Sequence, residues 1–246
     1  MFGDDSQEQI QEIQIPDCDA WGTLELLKKE KDVVGIYISA HPLDDFKREM
    51  KYFSSATFDV LSNLDPLVNR ELSFGGIIND VEHLITKTGK GWGKFTIEDF
   101  SDQYEFRIFG EEYLKFRHFI LPNNFVRLRI RVAEGWRNRE TGQLGQPRIQ
   151  FNSFEMLHDT LKTNIKKITL MLEVNQLNEA GILDLKKTVL SFKGDKGFYI
   201  DLFDTEEKIK LTLPSRKQRV EVSNELLSKL EEKNIHYRIN LSLIHI

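Results

Sequence analysis

The feature that most constrains this chain is a two-residue alternation that returns three times. In Phe125-Val-Arg-Leu-Arg-Ile-Arg-Val132, the residues Val126, Leu128, Ile130 and Val132 point one way and Arg127, Arg129 and Arg131 the other. In Tyr104-Glu-Phe-Arg-Ile-Phe109, Tyr104, Phe106 and Ile108 share one face, while Glu105, Arg107 and Phe109 share the opposite one. After Gly93, Phe95 and Ile97 oppose Lys94, Thr96 and Glu98. Successive side chains of an extended strand project to opposite faces, so this period specifies strands with one buried side. A helix would have to spread the same apolar residues around its circumference.

Leu72–Val81 and Pro147–Met156 add a strand on either side, making five within about 85 residues, and a helical turn near Glu111–Phe119 separates the third from the fourth. Five short strands with one helix in that gap match an OB-fold β-barrel, a scaffold that binds oligonucleotides. The stretch 84–100 is the tip and return strand of its first hairpin. There Gly89, Gly91 and Gly93 supply the positive φ angles of a tight turn. Lys87, Lys90 and Lys94 surround Trp92, placing cations for phosphates beside a flat ring for a base. Arg107, Phe109, Arg127, Arg129 and Arg131 extend that set. Trp136, Arg137 and Arg139 follow from the long polar hairpin 136–147, since the loop between the last two strands frames the ligand in OB folds. The alternation alone also fits a half-buried sheet whose arginines merely solvate the outer face.

Charge distribution bears on this choice. The net charge is −5. Residues 1–72 hold 7 basic and 15 acidic side chains, residues 73–158 hold 12 and 11, and residues 159–246 hold 15 and 13. The acidity is confined to the first segment, and a barrel at +1 implies modest, salt-sensitive binding to nucleic acid. Cys18 is the single cysteine, which excludes an internal disulfide and a cysteine-built zinc site and suits a reducing, cytoplasmic setting. No apolar run reaches the roughly 18 residues of a membrane helix.

The remaining chain divides by composition. Residues 1–20 are polar and read as a flexible arm. Residues 21–71 form a helical connector with expected helices over Trp21–Asp32, Asp44–Tyr52 and Thr57–Leu64. Residues 72–160 are the OB domain. Residues 165–240 are an α+β domain of order βαβββαβ, in which Ile182, Leu185, Val189 and Phe192 line the inner face of a helix. Gly194–Gly197 forms a turn there, Val220 and Val222 a short strand, and Ser223 caps the last helix. Residues 241–246 resemble a translated sequencing adaptor and are set aside as a non-native tail. The fold class expected is therefore multidomain α+β.

Two runs tie this reading to a family. Glu30-Lys-Asp-Val-Val-Gly-Ile-Tyr-Ile-Ser-Ala-His-Pro-Leu43 resembles the segment before the OB domain in the alpha subunit of bacterial DNA polymerase III. Thr86-Lys-Thr-Gly-Lys-Gly-Trp-Gly-Lys-Phe-Thr-Ile-Glu-Asp99 is similar to that family's first barrel hairpin. The chain departs from the family in having Gly91-Trp92 where a proline and a medium apolar residue are usual. It also has Ser101-Asp102 where a glycine is usual. The resemblance implies the C-terminal part of a much longer protein, with an OB domain for single-stranded DNA and a last domain that docks the clamp-loader tau subunit. Met1-Phe2-Gly3 looks like the end of the family's internal clamp-binding motif, which would touch the sliding clamp, but the motif's leading glutamine is not in this sequence.

No catalytic constellation emerges. The six histidines are scattered without metal-ligand spacing, and there is neither a phosphate-binding Gly-Lys-Ser/Thr loop nor a nucleophile elbow. Glu98 and Asp99 are adjacent on a strand and face opposite ways, which disfavours a shared metal. The expectation is a noncatalytic, cofactor-free fragment that binds single-stranded DNA. Two rivals remain: a protein-interaction spacer whose barrel does not bind DNA, and an OB-containing enzyme such as a tRNA synthetase, whose motifs are missing here.

Overall fold

A computed structural model describes residues 20–137 and 140–241. The arm expected over 1–20, with Met1 and Phe2, lies outside the described residues up to Asp19, as do Arg139 and positions 242–246 of the expected tail. The fold is mixed α+β with two separate sheets.

Residues 1–42 and 43–246 form two units. In the first, α1 (Thr23–Val34) ends where Gly35 takes a left-handed conformation at φ 87°, its N–H bonding the Lys31 carbonyl. This is the usual glycine termination of a helix. Beyond it the chain folds back, and the Glu30 carboxylate accepts from the Ser39 N–H at 3.1 Å and from its hydroxyl at 2.8 Å. Those bonds hold the Glu30 pKa below its usual value.

In the second unit the first sheet comprises β1 (Glu71–Ile85), β2 (Gly91–Glu98), β3 (Gln103–Phe109), β4 (Phe125–Ala133) and β5 (Arg148–Met156). Its order is β3-β2-β1-β4-β5, antiparallel throughout. The alternation read from β4 holds: Val126, Leu128, Ile130 and Val132 are fully buried. Each such side chain contributes about 1.5–3 kcal/mol by leaving water. With Phe74, Ile78, Phe95, Phe106, Phe151 and Phe154 they form one core. The sheet curls until its edge strands meet through Phe106 and Phe151, whose rings lie 5.5 Å apart at 66°. Among the described residues no β3–β5 ladder closes the sheet into a barrel; the gap is bridged by these rings and by the Glu112 carboxylate of α3 (Gly110–Phe116), which accepts from the Phe151 N–H.

The glycines of the first hairpin divide their work differently from the expectation. Only Gly89 is left-handed, at φ 80°. Gly91 and Gly93 are extended, and the Tyr113 ring of α3 lies against both: a Cβ at Gly91 would meet that ring at 2.8 Å. These two are small because a ring crosses them, not because the chain turns.

A helix absent from the sequence-based expectation, α4 (Leu157–Asn164), runs from β5 directly into the second sheet. That sheet contains β6 (Ile165–Glu173), β7 (Lys193–Asp204), β8 (Ile209–Val220) and β9 (His236–Leu241) in the order β8-β7-β6-β9. The β6–β7 pair is parallel, crossed by α5 (Glu179–Ser191), and α6 (Asn224–Glu232) precedes β9. Val220 belongs to β8, so the domain has four strands in the order βαββαβ. The expected turn at Gly194–Gly197 lies within β7, where a bulge pairs both Lys193 and Lys196 with Val220 and lets the strand continue. On α5, Leu185 and Val189 are buried as expected, but Ile182 is 50% exposed. Ser223 caps α6, its hydroxyl accepting from the Leu226 N–H.

The connector departs most from expectation. The helix at Asp44–Tyr52 begins as a 3-10 turn at Asp44–Phe46 and becomes α2 (Lys47–Phe53), and Thr57–Leu64 yields only a 3-10 segment at Phe58–Ser62. Phe58 and Leu61 plug the first core. The Asp99 carboxylate accepts from the Phe58 N–H at 2.9 Å and from the Ser101 and Asp102 N–H groups. Asp99 therefore ties a turn to the connector. Among the described residues no helix is long and apolar enough to cross a membrane.

Candidate nucleic-acid interface

Outward-facing residues of β2 and β3 assemble the first half of the site. Trp92 and Phe109 are direct partners in the β2–β3 register, and their rings stack at 5.1 Å and 15°. Phe109 is 52% exposed. Nearly parallel rings at a strand edge, one of them open to solvent, offer a face on which a further flat ring can stack. Lys94 and Arg107 are the next cross-strand pair on the same face. Two like charges directly opposite would repel, but Glu105 joins them. One of its oxygens accepts from Arg107 Nε and Nη2 at 3.2 and 3.0 Å, and the other lies 3.3 Å from Lys94 Nζ. Glu82 adds a contact to Lys94 at 3.4 Å. Arg107 and then Lys94 hold the Glu105 carboxyl below its ordinary range, and Glu105, followed by Glu82, raises the pKa of Lys94.

The second half comes from β5 and the hairpin before it. Trp136 is 77% exposed, and the Arg148 guanidinium lies over its ring at 4.3 Å from the centroid. Arg107, Phe109, Tyr104 and Glu112 face Trp136 and Arg148 across a cleft of about 640 Å³. It opens where the β3 and β5 edges fail to pair. Burial pushes the Glu112 carboxyl upward. The cleft thus offers the Phe109 ring, backed by Trp92, on one wall, a cation-covered indole on the other, and guanidinium groups from both.

Lys87 and Lys90 are exposed at the hairpin tip, in a turn where the Thr86 N–H bonds the Lys90 carbonyl and the Lys90 N–H bonds Thr86 Oγ1. Arg137 is exposed in the long loop.

The arginine row of β4 is not part of this cleft, and this corrects the expectation of one continuous cationic face. In the sheet order β4 is separated from β2 by β1. Arg127 is only 7% exposed. Its Nε donates to the Phe53 carbonyl at 3.1 Å and to Ser73 Oγ at 2.9 Å, and its Nη1 lies 3.4 Å from Glu155. The last residue of α2 covers it, with the guanidinium 5.4 Å from the Phe53 ring centroid. Burial pulls its pKa below the ordinary arginine value. Arg129 pairs with Glu71 at 3.6 Å, and Arg131 is exposed on the same strand.

Sequence reasoning missed Arg148 and Tyr104. Arg148 opens β5 next to the framing loop, and that position is the one signal that could have marked it. Its partnership with Trp136 spans the loop and leaves no local pattern.

Residues 168–240 match the family model described as the DNA polymerase III alpha subunit, C-terminal domain. Curated relatives extend the similarity over most of the chain. The DNA polymerase III subunit alpha of Borreliella burgdorferi is 30% identical over 78% of this chain, and that of Bacillus subtilis is 25% identical over 85%. The chain spans 16% and 18% of the length of these two proteins. Among solved structures, the mitochondrial single-stranded DNA binding protein Rim1 of S. cerevisiae matches with a TM-score of 0.25 and 16% identity. That match covers 35% of this chain and 93% of Rim1.

Proposed function

Since most of this chain is similar to the C-terminal region of DNA polymerase III alpha subunits, we propose that it serves DNA replication as a noncatalytic region that holds single-stranded DNA. The strand lies in the cleft between β3 and β5. Bases stack on the Trp92–Phe109 pair and on the Trp136 ring, and phosphates are met by Lys94, Arg107 and Arg148, with Lys87, Lys90 and Arg137 adding charge at the two loops. The observation that carries this reading is the open, near-parallel ring pair beside a cationic pair on one strand face. Aromatic platforms beside cations bind single strands with little regard to sequence.

The resemblance further supports docking of the clamp-loader tau subunit by residues 165–240; for the sliding clamp it offers only the partial motif Met1-Phe2, without the leading glutamine. Polymerase chemistry is not assigned to this stretch; Asp99, half of the Glu98–Asp99 pair, is committed to backbone bonds.

The test is fluorescence anisotropy of a labelled oligo-dT strand at low and moderate salt. Saturable binding that weakens with salt is expected. A second reading, in which the barrel is only a spacer between partners, is favoured by one observation: Lys94 and Arg107 already have carboxylate partners. Absence of binding at low salt would overturn the first reading and leave the second.

A further inference from the structure

Glu105 bridges the cationic pair Lys94 and Arg107. One oxygen takes two N–H groups of Arg107 and the other faces Lys94 Nζ, so one planar anion is clamped by cations from two strands. Guanidinium forks take carboxylates and phosphates in the same geometry. The clamp lies two residues along from the Trp92–Phe109 pair on both strands. At a strand rise of about 3.4 Å per residue, that is roughly 7 Å, one nucleotide's reach from a stacked base.

We propose that Lys94 and Arg107 form a phosphate seat which Glu105 occupies in the free protein, so that the strand binds by displacing this carboxylate. The inference rests on the reading that the cleft holds single-stranded DNA. Glu105 then sets affinity: it suppresses weak anion binding at the cationic pair and relieves the repulsion between Lys94 and Arg107 until a phosphate takes over both. The carboxylate is 41% exposed and its ion pairs are surface pairs, so displacement costs little. An exchangeable anion of this kind lets a bound strand leave the seat without exposing an uncompensated cationic pair.

The experiment compares oligo-dT binding by the wild-type chain, Glu105→Gln, Glu105→Gln/Lys94→Gln and Trp92→Ala/Phe109→Ala across a salt series. Glu105→Gln removes the carboxylate that Lys94 and Arg107 share while keeping the side chain's size, and Glu82 stays beside Lys94 in every variant. It is expected to bind about fivefold tighter, as befits the loss of surface ion pairs, and to steepen the slope of log affinity against log salt by about 0.7, one further neutralised phosphate on a single strand. Adding Lys94→Gln should return both quantities to near wild-type values. If the wild-type chain binds in a manner that depends on Trp92 and Phe109, but Glu105→Gln binds equally or more weakly, the phosphate seat is overturned while the cleft stands. If no variant binds, the cleft itself is overturned, and the seat with it.

Discussion

Arg127 separates a structural role from a binding role most cleanly. Its side chain is nearly inaccessible, and its Nε bridges the Phe53 carbonyl and Ser73 Oγ. Replacing it by methionine keeps an unbranched stem beneath the Phe53 ring and removes every donor. The partners are not left empty: Ser73 Oγ still donates to the Phe53 carbonyl at 2.7 Å, and Glu155 keeps the Asn164 amide at 2.9 Å. What disappears is therefore the hydrogen bonding of a charged donor, about 1.5–3 kcal/mol for each bond. Against it stands the relief of no longer burying a guanidinium, which offsets part of the cost. A net destabilisation of about 2 kcal/mol follows. With a denaturant slope near 2 kcal/mol per molar urea, the unfolding midpoint of Arg127→Met falls by about 1 M. Anisotropy with oligo-dT, measured without denaturant, should be unchanged within about twofold, since this residue is walled off from the cleft. A tenfold loss of affinity with an unmoved midpoint would refute the reasoning and restore the β4 row as a DNA-binding surface.

Three further outcomes are expected. Trp92→Ala/Phe109→Ala should weaken oligo-dT binding by the stacking of one to two bases, each about 1–3 kcal/mol, with little change in salt slope; anisotropy titration reads both. Lys87, Lys90 and Lys94 changed together to alanine should instead flatten the salt slope, by about 0.7 for each phosphate no longer neutralised. Glu49 of α2 is buried, which raises its folded-state pKa above the usual 4.5. The folded protein then retains a proton that the unfolded chain has released, so stability falls as pH rises from 4.5 through the folded value. Glu49→Gln should remove that decline in urea unfolding measured across the same pH range.

Strands were the most legible part of this fold, because alternation is a local record of which side meets the core. Val126, Leu128, Ile130 and Val132 announce their burial, and Ser223 ahead of Leu226, Leu227 and Leu230 announces a capped helix. What alternation does not record is what lies over the other face. Arg127, Arg129 and Arg131 share one pattern, yet α2 covers the first and leaves the last exposed. The short helix responsible is held by distant partners such as Arg48 with Glu231, 2.7 Å apart across 183 positions, so no window of sequence displays it. The site divides in the same way. Phe109 was visible as an outward strand residue and Trp92 as a ring in the hairpin tip, whereas their alignment depends on the β2–β3 register, and the Trp136–Arg148 wall on how a long loop returns. The helix α4 was missed because it starts directly at the end of β5, with no loop to mark the change.

The most direct test uses the three tryptophans as reporters. The chain labelled with 5-fluorotryptophan gives one fluorine resonance each for Trp21, Trp92 and Trp136. Titration with oligo-dT should shift the Trp92 and Trp136 signals, since Trp92 backs Phe109 on one wall of the cleft and Trp136 stands on the other. Saturated binding with Trp92 and Trp136 both unmoved would show that the strand lies elsewhere, and the cleft between β3 and β5 would lose its assigned role.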